Sequence, residues 1–128
     1  MFGRATGEGY IHQVTNIGSS PIHMIDVEFV RPPAKVFAGV DLTVQPTDDN
    51  DRFRAFRLSL APREISAPMK LGPGVHILIA GGPIDLVGES GTSIKLDTRE
   101  QWRWREGGLY TLHNVSQIPA DVVELEVK

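Results

Sequence analysis

The 128-residue sequence contains no cysteine. That absence excludes disulfides, thiolate metal sites and a thiol nucleophile. It suits a reducing cytosol, so a cytoplasmic location is expected. A surplus of positive charge is missing as well: 13 Lys and Arg stand against 16 Asp and Glu, for a net charge of −3. No basic stripe is available to neutralise a phosphate backbone, so nucleic acid is not an expected partner. No stretch reaches the roughly 18 apolar residues of a spanning helix, and residues 1–7 carry no apolar run of a signal peptide. Neither a membrane partner nor a leader is expected. Helical periodicity is also absent: no segment sustains a 3.6-residue repeat. Nor is there a Gly-rich phosphate loop, a Ser-His-Asp order or a pair of catalytic carboxylates.

What is present is strand-like. The hydrophobic fraction of 41% and charged fraction of 23% are ordinary globular values. The length fits one domain, 1–128, with a single core. Period-2 alternation predicts strands over 10–17, 23–30, 53–60, 75–79, 84–87, 93–96, 101–105, 109–115 and 121–127. The 13 glycines and 9 prolines fall largely between them, in turns such as Gly72-Pro73-Gly74, Gly81-Gly82-Pro83 and Gly107-Gly108. Many short strands with such turns predict an all-β barrel or jelly roll. Arg31-Pro32-Pro33-Ala34-Lys35 reads as a linker after an extra N-terminal β-hairpin, 9–30, with the main barrel over 53–128.

The chain also repeats itself. The run from Asn16 through Pro21 to Phe29 returns 98 residues later, from Asn114 through Pro119 to Val127. In both copies one strand face is apolar (Ile25, Val27 and Phe29; Val123, Leu125 and Val127). The other carries acids (Asp26 and Glu28; Glu124 and Glu126). This is the alternation of a strand buried on one side, and it predicts a duplicated hairpin.

These residues resemble the cupin superfamily. Gly9-Tyr10-Ile11-His12 with Asn16 and Pro21 is similar to the family's second motif, His-x-x-x-Asn followed by a Pro turn. Gly108-Leu109-Tyr110 with Asn114 and Pro119 is similar too, with Tyr110 where a His is expected. Leu58-Ser59-Leu60-Ala61-Pro62 and Pro73-Gly74-Val75-His76-Ile77 resemble the strands on either side of the family's His-x-His. Between them stand Ser66-Ala67-Pro68-Met69-Lys70-Leu71. Trp102-Arg103-Trp104 with Gly107-Gly108 resembles the segment before motif two in a group of uncharacterised two-domain cupins, in their C-terminal part. Residues 9–30 then look like the tail of a preceding cupin domain.

The resemblance implies a cupin-type jelly-roll β-barrel, and its departures imply what the barrel does not do. Cupins hold a divalent metal through three His and one Glu, a set that suits iron, manganese, nickel or zinc. Here positions 68–71, 74–75 and 110 have all lost their ligand type. The expected function is a non-catalytic, metal-free protein with no cofactor, holding a small molecule in the barrel or serving as an assembly module, with a homodimer expected. Its ligand-binding candidates are Met69, Leu71, Tyr110, Leu112 and Trp102. The alternative is a metal-dependent cupin enzyme, of dioxygenase, isomerase or decarboxylase type, whose divalent transition metal is held by a non-standard set including His12 and His76.

Several single residues carry two readings. If the β-branched face of Val75, Ile77 and Ile79 lines the barrel, His76 faces outward. His113 has the opposite parity to Tyr110 and Leu112 and should not join them inside. His23 starts a strand and should be exposed. Lys70 is a base or Schiff-base former if inward and a solvated side chain otherwise. Trp102 and Trp104 share one strand face, as core or dimer anchors or as a stacking platform. Asp48-Asp49-Asn50-Asp51 lacks the spacing and central Gly of a calcium loop and reads as a polar turn.

Overall fold

The computed structural model describes residues 13–22, 24–27 and 46–128. The chain divides into two compact units, Met1–Pro32 and Pro33–Lys128. Among the described residues of the second unit, nine strands form two antiparallel sheets. They are β1 (Asp48–Asp49), β2 (Phe53–Leu60), β3 (Met69–Leu71), β4 (Gly74–Ala80), β5 (Ile84–Gly88), β6 (Ser93–Leu96), β7 (Trp102–Arg105), β8 (Gly108–Asn114) and β9 (Ala120–Val127). One sheet has the order β1-β2-β9-β4-β7 and the other β3-β8-β5-β6. Both are antiparallel throughout. Among the described residues there is no helix.

Seven of these strands fall where alternation predicts them, with β2 and β6 matching to the residue. The short β1 and β3 were not expected, because two or three residues offer no period to read. Steric need fixes the turn from β4 to β5. Gly81 and Gly82 have φ of 76° and 103°, and a Cβ on Gly81 would lie 2.2 Å from the Pro119 carbonyl oxygen. Only glycine meets both demands.

The core lies between the sheets. Phe56 and Leu60 of β2, Leu78 of β4 and Ala120 and Val122 of β9 meet Met69 and Leu71 of β3, Ile84 and Leu86 of β5, Leu96 of β6 and Tyr110 and Leu112 of β8. Each such large apolar side chain contributes about 1.5–3 kcal/mol by leaving water. That cluster fixes which face of each strand is internal, and it overturns two readings. On β4 the inward residue is Leu78, so His76 faces inward with it, not outward. On β9 Ala120 and Val122 are inward, so Glu124 and Glu126 are inward too, while Val123, Leu125 and Val127 face out. The reason is that the middle of the larger sheet is covered on both sides. Phe53, Ala55, Val75, Ile77 and Leu125 are buried on its outer face, apart from the core cluster. In a strand buried on both faces, a stripe of β-branched residues does not mark the inside.

In the first unit, the described residues of the expected hairpin, 13–17 and 24–27, are not in strands. Residues 9–12, 23 and 28–30 of that hairpin, with His12 and His23 among them, lie outside the described residues. What the first copy does share with the second is its turn. The Asn16 side chain donates to the Ser20 carbonyl at 2.8 Å and accepts from the Gly18 amide at 2.9 Å. Asn114 donates to the Ile118 carbonyl at 2.8 Å and accepts from the Ser116 amide at 3.1 Å. The same residue two and four places on is used each time, with proline next.

Candidate functional site

The site begins with a glycine. Gly74 opens β4 with Glu126 of β9 opposite on one side and Arg105 of β7 opposite on the other. A Cβ at Gly74 would lie 1.8 Å from the Leu125 carbonyl oxygen, so the strands close up where no side chain intervenes. Two residues further along β4, His76 pairs with Glu124. Inward-facing positions on three adjacent strands therefore hold an imidazole, two carboxylates and a guanidinium.

These groups bond to one another. His76 Nδ1 is hydrogen-bonded to Glu124 Oε1, and Arg105 Nε donates to Glu124 Oε2 at 2.8 Å. One carboxylate thus joins an imidazole and a guanidinium, and all three side chains are fully buried. Arg105 Nη1 donates to the Gly72 carbonyl, and the Gly72 amide donates to Glu126 Oε1 at 3.3 Å. Burial pushes the Glu126 carboxyl above its usual 4.5, against the pull of the Gly72 amide, Arg105 and Arg54. Arg54 Nη1 lies 4.0 Å from Glu126 Oε2, and its Nε donates to Asp49 Oδ2 at 3.1 Å. Among the buried side-chain atoms that make no hydrogen bond are His76 Nε2, Arg105 Nη2 and Glu126 Oε2.

The candidates expected to bind a ligand divide into two groups. Met69, Leu71, Tyr110 and Leu112 are brought together inside the barrel as part of its packed core. Met69 sits directly opposite Tyr110. The Tyr110 hydroxyl donates to the Glu106 carbonyl at 2.7 Å, so the backbone satisfies it. Trp102 does not join them. It is 55% exposed and pairs with Ile77, on the outer face of the larger sheet beside Trp104. Lys70 is exposed on β3, and His113 points away from the core, its ring bonded to the Thr111 hydroxyl. The acidic run 48–51 is split between β1 and a turn in which Asn50 Oδ1 accepts from the Arg52 and Phe53 amides.

Comparison with known proteins bears on the fold. No family model matches the sequence, and no curated protein matches it. Among solved structures, a cupin domain from Bordetella pertussis Tohama I is 24% identical, with a TM-score of 0.55, over 66% of this chain and 90% of that domain. The barrel has the cupin fold. A cupin superfamily protein of Desulfitobacterium hafniense DCB-2 is also similar, at 12% identity and a TM-score of 0.51, over 72% of this chain and 83% of that one.

The positions that the sequence resemblance sets against the family's metal ligands are now placed. Position 110 holds a tyrosine whose hydroxyl is bonded to backbone. Position 74 holds glycine, with no side chain to offer. Positions 69–71 offer a buried thioether, an exposed amine and a leucine. These residues do not fit a metal that takes imidazole and carboxylate ligands. Among the described residues, no three His, Asp or Glu side chains are gathered as a metal-holding group. Nearby, His76 and Arg105 are both bonded to Glu124, and Glu126 accepts from the Gly72 amide.

Sequence reasoning missed Arg105, Glu124 and Glu126 as members of an internal cluster. A signal for them existed. The resemblance sets a family ligand at 74–75, and Gly74 is the inward one of that pair; a residue two places further along a strand shares its face. His76 follows directly, and its cross-strand partners follow from His76.

Proposed function

We propose that the chain is a non-catalytic, metal-free cupin-fold module that works through assembly rather than chemistry. One observation carries this reading: the polar groups at the family's reactive end are turned onto each other. Glu124 is bonded by both His76 and Arg105, and the Tyr110 hydroxyl is bonded to the Glu106 carbonyl. A general base or nucleophile must reach a substrate proton or carbon, and both oxygens of Glu124, His76 Nδ1 and the Tyr110 hydroxyl are bonded to protein partners instead. Met69, Leu71, Tyr110 and Leu112 pack into the core, which supports an interior filled by side chains over one holding a large ligand. For assembly, support comes from β7. Among the described residues it ends its sheet, and it carries Trp102 and Trp104, both about half exposed, on the outer face. Edge strands with exposed aromatics favour pairing with another chain. A second copy is the partner of this reading.

The test is native mass spectrometry of the whole chain after incubation with manganese, iron, nickel and zinc ions, with its mass in solution measured alongside. The reading predicts a metal-free dimer. One metal per chain would end the metal-free reading, and a monomer at high micromolar concentration would end the assembly reading.

A further inference from the structure

Two buried carboxylates on one strand face are costly unless something positive answers them. Glu124 and Glu126 are both fully buried on β9, two residues apart and facing the same way. The oxygens that look across to β7 are Glu124 Oε2 and the Gly72 carbonyl, and both are taken by the same guanidinium. Gly72 is in turn joined to Glu126 by its amide. The guanidinium belongs to Arg105, which is itself fully buried and stands opposite Gly74. Because Gly74 has no side chain, the strands to either side supply the groups at this point.

We propose that the polar end of the barrel is a cation site, and that Arg105 is its resident cation. Its guanidinium does for Glu124 the electrostatic work that a bound metal does in a metal-holding barrel of this fold, and it reaches Glu126 through the Gly72 backbone, with Arg54 4.0 Å from that second carboxylate. The inference rests on the metal-free reading above and goes beyond it, because it names the group that takes the metal's place. The site has the chemistry of a guanidinium receptor. It offers a carboxylate oxygen and a carbonyl oxygen to adjacent N–H groups, and so suits a planar, charged fork: an ammonium lacks the fork, and a neutral urea lacks the charge. His76 positions the receptor by holding the other oxygen of Glu124.

Chemical rescue tests this. Arg105→Ala removes the cation and leaves its volume, and its Tm should fall by about 10 °C or more. Millimolar methylguanidinium should then raise the Tm of Arg105→Ala by several degrees while leaving the wild-type chain unmoved. N-methylurea, a neutral molecule of similar shape, should raise neither. Equal effects of the two additives, or no effect of methylguanidinium, would overturn the proposal. If Arg105→Ala does not fold, the double variant Arg105→Met/Glu124→Gln decides. With the principal anion gone the cation is no longer needed, so the double variant should fold and be more stable than Arg105→Met alone. A double variant no better than Arg105→Met would overturn the proposal. Stoichiometric Co2+ on the wild-type chain would instead defeat the underlying metal-free reading, and methylguanidinium rescue would still report separately on Arg105.

Discussion

On β9, Ala120 and Val122 close one end of the barrel with apolar side chains, while Glu124 and Glu126 line the other from the same face of the same strand. Its neighbours follow suit. On β4, Leu78 faces the apolar end and His76 the polar one, and on β2 Leu60 and Phe56 give way to Arg54. The apolar end draws on both sheets, with Leu112, Leu86, Ile84 and Leu96 arriving from the smaller one. The polar end is built by the larger sheet, with the 72–74 turn. The difference teaches how one barrel can be closed in two ways. Packing tolerates many apolar sequences of about the right volume. A buried ionic network works only when every carboxylate finds its cation, and losing one member strands the others.

The largest break in that comparison should come from Glu124→Ala. It leaves the Arg105 guanidinium and His76 buried without their shared acceptor, and should cost about 3–5 kcal/mol in denaturant unfolding. The apolar counterpart, Leu112→Ala, should cost about 3 kcal/mol, with no dependence on pH because no charge is exposed or stranded. If Glu124→Ala cost less than Leu112→Ala, the contrast between the ends would fail.

The two asparagine turns offer a sharper contrast at smaller scale. Beyond its local bonds, Asn114 donates to the Ala61 carbonyl at 2.9 Å, and so ties the end of β2 to the turn before β9. Asn16 makes the local bonds but is exposed. Asn114→Ala should cost about 2 kcal/mol, since it removes a buried side chain and leaves part-buried carbonyls without their donor. Asn16→Ala should fall within about 0.5 kcal/mol of wild type, as exposed substitutions usually do. Equal costs would show that the local turn, not the tie to β2, is what the asparagine supplies.

The smallest effect concerns pH. Glu126 is held above its usual 4.5 by burial. A raised carboxyl contributes stability that is fully present below the unfolded value and is lost as pH rises through the folded one. Asp49 and Asp121 behave oppositely. A Lys128 hydrogen bond holds the first below its usual 3.8, and Ser59 and then Arg57 hold the second there. Their contribution is present above the unfolded value and is lost as pH falls through the folded one. Glu126→Gln should therefore abolish a loss of stability that begins near pH 4.5 on the alkaline side, and leave the acid limb as it was. A wild-type curve that Glu126→Gln reproduces across that range would contradict the placement of Glu126 at the polar end.

Much of the fold was legible because alternation and turn chemistry agree in most of its strands. The strand of Phe53 to Leu60 alternates clearly, and the Gly81-Gly82-Pro83 turn has no other reading. The candidate site was less legible, for a physical reason. Val75, Ile77 and Leu125 are buried on the outer face, so apolar character did not distinguish inside from outside on β4 and β9. Acids on one face of Val122-Val123-Glu124-Leu125-Glu126-Val127 ordinarily mean solvent, and here they mean an internal cation. Tyr110 was placed correctly inside, but its partner, a backbone carbonyl, leaves no mark in a sequence.

The central claim is that a protein side chain, locked in place, supplies the positive charge at the polar end. The most direct measurement is the Arg105 Nε–H signal in a 15N–1H spectrum of the wild-type chain at neutral pH, before and after one equivalent of Co2+. A guanidinium bonded to Glu124 and closed off from solvent predicts a resolved, slowly exchanging resonance that Co2+ neither shifts nor broadens. A signal lost to exchange with water, or broadened by the metal, would contradict it.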